Sequence, residues 1–273
     1  MLFDEAILAA EVFYDANQWL IFAVLLVLLL GSTEIGYRMG RSTRGRMSDR
    51  AISQLTTIEG GVLGVLALLL AFTFSMAVAR YESRRELVVK EANAIGTAAL
   101  RAQLLPEPAR SEAASLFRQY VASRIELAEA AGDVNRRQAA LVTTEMLQQQ
   151  IWALGASALR SDGQSFAPAL LIASLNEVID VHGERLAAAR NHVPEVVLRL
   201  ELLVAVFAVG LVGYGCGAGD RRNPVSTSAL AILLAAIVLL ILDLDRPGRG
   251  LIQVSQQPMV ELQRSLGGDT QAP

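Results

Sequence analysis

From Gly61 to Ala79 the chain reads GVLGVLALLLAFTFSMAVA, with no charged side chain, and it runs on through RYESRRELVVKEANAIG without a proline before Pro106. About 20 predominantly apolar residues are needed to cross the hydrocarbon core of a bilayer as a helix. Without proline, nothing forces that helix to stop at the membrane surface. At ~1.5 Å per residue, a helix from Gly61 to Leu105 would be roughly 65 Å long, about twice the hydrocarbon thickness. The sequence therefore predicts one rod, half in lipid and half in water. Few folds accommodate such an element.

Three other blocks are long and apolar enough to span. One runs from about Trp19 to Tyr37 and tolerates Glu34. Another runs from about Val196 to Ala218, and the last from Val225 to about Leu244. The residues before the first block are acidic (Asp4, Glu5, Glu11, Asp15) and an arginine-rich loop follows it, so it reads as a retained span rather than a cleaved signal. The four blocks explain why 53% of the residues are hydrophobic, too apolar an average for an ordinary soluble domain.

Residues 80–195 have a different character, rich in Ala, Leu, Glu, Arg and Gln with apolar residues recurring at three and four. Helical segments are expected over 81–105, 109–131, 134–159 and 165–189, with Asp133 as an N-cap and Pro194 opening the third span. The expected fold class is all-α: four transmembrane helices, with a four-helix extramembrane bundle inserted between helices two and three, and span two continuous with the first bundle helix. The expected domains are 1–79 (spans about 19–37 and 61–79), 80–195 (bundle) and 196–246 (spans about 196–218 and 225–244). Residues 247–273 form an amphipathic tail that lies on the membrane or packs on the bundle, its GGDTQAP end disordered.

Charge bounds the partners. A net charge of −3 with no basic stripe argues against nucleic acid. The loop between spans one and two carries Arg38, Arg41, Arg44, Arg46 and Arg50 against Asp49 alone. Short basic loops stay in the cytoplasm, which places both termini and the bundle on the non-cytoplasmic side of a bacterial inner membrane. A single cysteine and two histidines leave no metal site. No cofactor motif and no convergent Ser, His and Asp set occurs, so neither catalytic residues nor an enzyme are expected.

Span two is the natural pore helix. Leu68, Phe72, Ser75 and Ala79 share a face, and Phe72 or Phe74 could form an apolar neck of the kind that gates ions by dewetting; these phenylalanines could equally pack against other spans or touch lipid. Glu34, Glu59, Asp243 and Asp245 sit at bilayer edges, where an ionisable group usually has a partner. Asp243 and Asp245 are two apart, about 200° around a helix, so they face different neighbours. One of them could pair with Arg80 or Arg246. Glu91 and Asn93 could form a buried pair that fixes bundle register. Gly210, Gly213, Gly215, Gly217 and Gly219 suit close helix packing in lipid.

The run LALLLAFTFSMAVARYESRRELVVKEANAIGTAALRA followed by LLPEP, and the tail LDLDRPGRGLIQVSQQPMVELQRSL, resemble the bacterial bestrophin-like family, itself distantly similar to bestrophin anion channels. The matching positions of span two are Leu68, Leu69, Leu70, Phe72, Ala77, Arg80, Tyr81, Arg85 and Leu87. Arg80, Arg85, Glu91, Asn93, Asp243, Asp245 and Arg246 are the polar residues of these signatures. The resemblance implies a homo-oligomer in the lipid bilayer with a pore for small ions lined by span two. It also implies a cytoplasmic bundle, the opposite of the orientation that the loop charges imply. The acidic calcium-binding cluster of animal bestrophins has no counterpart here. The other functional class compatible with the sequence is a membrane-anchored helical sensor or partner-docking module without transport.

Overall fold

A computed structural model describes residues 17–161, 166–219, 222–246, 248 and 250–267. The described residues are helical and contain no strand. The helices are α1 (Gln18–Thr43), α2 (Asp49–Ala102), α3 (Ala109–Glu129), α4 (Val134–Ser161), α5 (Phe166–Arg190), α6 (Glu195–Ala218), α7 (Pro224–Asp245) and α8 (Gln257–Gly267). Four helical stretches among them are long and apolar enough to cross a membrane.

Local chemistry sets the boundaries. The Asn17 side chain accepts from the Trp19 N–H and starts α1. Asp133 Oδ1 accepts from the N–H groups of Asn135 and Arg136 at 3.0 and 3.1 Å, capping α4 as its residue type suggests. Asn223 caps α7, with Pro224 in the first turn, where its missing N–H costs nothing. The predicted rod exists: α2 is one helix of 54 residues. It starts earlier than the apolar block, at Asp49, and ends at Ala102 rather than Leu105. Leu105 is buried beyond that end in a turn.

The chain divides into two compact units: Met1–Ala79 with His192–Arg246, and Arg80–Asn191 with Pro247–Pro273. In the first, α1 and α6 approach until backbone meets backbone. A Cβ on Gly36 would lie 1.9 Å from the Gly210 carbonyl oxygen, and one on Gly213 would lie 2.1 Å from that of Thr33. The Ser32 hydroxyl donates to the Val206 carbonyl at 2.7 Å across the same seam. Without a hydrophobic drive between helices in lipid, such close small-residue packing is what holds spans together.

In the second unit the core is built from Val88, Ile95 and Ala98 of α2, Phe117, Tyr120 and Val121 of α3, Leu147 and Ile151 of α4, and Leu171, Leu175 and Val178 of α5. Each helix contributes one stripe at spacings of three and four, as amphipathic helices around a shared core do. The tail joins this core: α8 packs on α3, Met259 is fully buried, and Leu262 and Leu266 lie against the cluster. The tail end expected to be disordered lies outside the described residues from 268 onward.

Candidate functional site

Within the first unit, the α2 segment of span two buries Leu66, Leu70, Thr73 and Ala77 and leaves the opposite face open. Leu68 and Phe72 are 56% and 61% exposed, and Ser75 and Ala79 lie open beside them. The four share one face because 68, 72, 75 and 79 are spaced at helical repeat. Phe74, two residues from Phe72, points elsewhere and is 38% exposed. Around the open face stand Gly61, Gly64, Ala67 and Ala71, all exposed and all small.

Facing the buried side is a residue that sequence reasoning passed over. Glu201 of α6 is 2% exposed, and the Thr73 hydroxyl donates to its Oε1 at 2.8 Å. Its second oxygen is buried without a hydrogen-bond partner. The signal is present in the sequence: Glu201 sits inside LRLELLVAVF, a carboxylate within an apolar run. Glu34 pairs with Arg38 at 2.8 Å and with Arg222 at 3.4 Å. Glu59 lies against Gly215 on α6.

At the end of α7, Asp243, Asp245 and Arg246 are all buried. Asp245 Oδ2 accepts from the Val193 N–H at 2.7 Å, and its carboxylate is 3.7 Å from His192 Nδ1. This carboxylate tethers the end of α7 to the residues just before α6, all within the first unit.

In the second unit, Glu91 does not pair with Asn93. Asn93 is exposed, because two residues on a helix point about 200° apart. Glu91 is completely buried and is held by Arg124 of α3 at 2.8 Å and by Arg185 of α5. His182 of α5 is 3.9 Å away, Gln148 of α4 donates to the nearby Tyr120 hydroxyl, and Gln256 accepts from Arg185 at 3.3 Å. One polar knot thus ties α2, α3, α5 and the segment leading into α8. Arg124 and Arg185 were invisible as partners in the sequence because they lie 33 and 94 residues from Glu91. Arg80 donates weakly to Asn191, and Arg85 to Glu82, both at 3.5 Å on the surface.

The knot sets its own titration. Burial works to raise the Glu91 carboxyl, but the charges of Arg124 and Arg185 outweigh it and hold the group below its ordinary value. Burial first, and the Arg124 charge second, push His182 down to about 4 against the opposing pull of Glu91. Burial, with the Glu91 charge adding to it, pushes Tyr120 up to about 12. His182 is therefore neutral in the folded bundle and must charge as acid is added. A depressed histidine contributes stability above its unfolded pKa that is lost as the pH falls through about 6.5 toward 4. The expected loss is up to about 3 kcal/mol over that window. Thermal melts at pH 7 and pH 4.5 check it, and His182→Gln should flatten the difference; equal pH dependence in both proteins would contradict it.

Comparison with known proteins now bears on this arrangement. A bestrophin-like domain family model matches residues 24–259, most of the chain. The chain belongs to the bestrophin-like family. Solved structures similar to this bestrophin-like chain include single-substitution variants of a bacterial bestrophin homologue from Klebsiella pneumoniae. One has a TM-score of 0.67 at 14% identity, covering 89% of this chain and 97% of the other. Another has a TM-score of 0.66 at 15% identity, covering 93% and 100%. A crystal structure described only as a membrane protein variant also matches, with a TM-score of 0.66 at 15% identity and coverage of 90% and 97%. At such identities the likeness speaks to fold. No curated protein sequence matches the chain. Family and apolar helices together make this a bacterial membrane protein.

Proposed function

We propose that this bestrophin-like chain assembles as a homo-oligomer in which span two lines a path for small ions. The observation that carries the reading is the open face of α2. Its small residues would let copies of the helix converge, and its bulky pair Leu68 and Phe72 would narrow the path between them. An apolar constriction of this kind passes or blocks ions according to whether it is wetted. Further along the same helix the exposed positions turn hydrophilic, with Glu86, Lys90, Asn93 and Thr97. The bundle also exposes Val142, Met146 and Trp152 of α4, apolar positions a further protein surface would cover. The distant resemblance to bestrophin anion channels makes chloride the first ion to test, alongside small cations, by analogy of fold.

The experiment is mass plus flux. Purified protein in nanodiscs should have a mass of several chains, and liposomes carrying it should pass chloride or small cations. Phe72→Ala should raise flux roughly severalfold by widening and wetting the constriction. A monomer with no flux would overturn the reading in favour of a membrane-anchored docking module, for which α4's exposed apolar residues would be the starting point.

A further inference from the structure

One cleft in the first unit is lined by no residue of α2. It lies between α1, α6 and α7, is open on one side, and has a volume of about 250 Å³. It is lined by Leu30 and Thr33 of α1, by Gly213 and Cys216 of α6, and by Thr227 and Ser228 of α7. Tyr37, Glu34 and Arg222 also line it, and the exposed side chains of Glu34 and Arg222 mark its mouth. From Leu30 to Tyr37 the α1 wall rises about 10 Å along the helix axis.

The cleft is thus apolar at one end and charged at the other, and it is built on helices that stand in a bilayer. Its charged end coincides with the arginine-rich end of the spans, where Tyr37 sits as interfacial aromatics do. Among the described residues, the mouth carries a net positive charge: Arg38 and Arg222 flank the carboxylate of Glu34. Arg222 lies over the Tyr37 ring, 4.9 Å from its centroid, which holds the guanidinium at the mouth. Its described hydrogen bond is one long contact to Glu34, out of the five N–H groups a guanidinium has. Its side chain is 58% exposed, open to an incoming group. An occupant must be anionic at one end, apolar at the other, and present in the membrane.

We propose that the cleft binds an anionic phospholipid, its phosphodiester at Arg222 and the upper part of one acyl chain along Leu30 and Cys216. The same phosphate chemistry could come from free phosphate, so the test separates the two. Full-length protein is placed in nanodiscs of phosphatidylcholine, with or without phosphatidylglycerol. Retained lipid is counted by native mass spectrometry, and melting is followed in parallel. Wild-type protein should retain phosphatidylglycerol in preference to phosphatidylcholine and melt several degrees higher with it. Arg222→Gln should weaken that retention roughly tenfold, the size expected for losing a charge-assisted hydrogen bond. Ser228→Phe fills the wall while keeping the arginine, and should reduce retention of both lipids. Equal retention of the two lipids by wild-type protein overturns the proposal. So does unchanged retention in Ser228→Phe, or a melting rise reproduced by inorganic phosphate in phosphatidylcholine discs. If Arg222→Gln does not fold, the wild-type comparison and Ser228→Phe still decide.

Discussion

Replacing Glu91 by Gln is expected to destabilise the bundle by about 3–5 kcal/mol. Removing one partner of a buried ion pair leaves the other charge desolvated and unanswered. Here two charges lose their counterion at once: Arg124, whose side chain is 2% exposed, and Arg185, at 14%. Gln keeps the shape and loses the charge, so packing is not the variable. The melting temperature should fall sharply, and hydrogen exchange should rise in α8 as well, because Arg185 is bonded to Gln256 just before that helix. Arg124→Gln combined with Glu91→Gln should cost less than the two single changes added together, by about 1–3 kcal/mol, as expected for residues in one network. A Glu91→Gln protein that melts within about 0.5 kcal/mol of wild type would show that the knot does not hold the bundle.

Gly36→Ala should cost about 3 kcal/mol or more and sharply lower the yield of folded protein. The added methyl would lie 1.9 Å from the Gly210 carbonyl oxygen, a backbone atom that cannot swing aside. Overpacking costs about 1–3 kcal/mol where side chains can adjust. Here the two helices must part along their whole seam, giving up the Ser32 to Val206 bond as well. Gly31→Ala is the control: it lies on the same helix, and its added Cβ meets nothing within 4 Å. Equal yields and melting temperatures for the two variants would mean that α1 and α6 are not packed this closely.

Much of the fold was legible because its determinants are local. Hydrophobic blocks report spans, the absence of proline between Gly61 and Pro106 reports a continuous rod, and Asp133 reports a cap. The glycines of span three announced close packing for the same reason: in lipid, small residues have few other uses. The sites were legible only in part. Leu68, Phe72, Ser75 and Ala79 share a face by periodicity alone, so their grouping could be read from spacing. Glu91 was singled out but given the wrong neighbour, because proximity in sequence suggested Asn93. Glu201 was legible as an oddity but not as a partner of Thr73, 128 residues earlier.

The division follows from the range of the forces involved. Whether a segment enters lipid, bends or continues depends on transfer free energy and backbone sterics, and both are properties of the segment itself. The sequence by itself therefore determined the four spans, the helical insert and the unbroken second helix. Which buried charge meets which is decided only when helices from distant parts of the chain are packed, since a carboxylate needs a counterion within a few ångströms and sequence does not measure that distance. Tertiary structure alone brought Arg124 and Arg185 to Glu91, set Asp245 on the Val193 amide, and opened the cleft beneath Arg222.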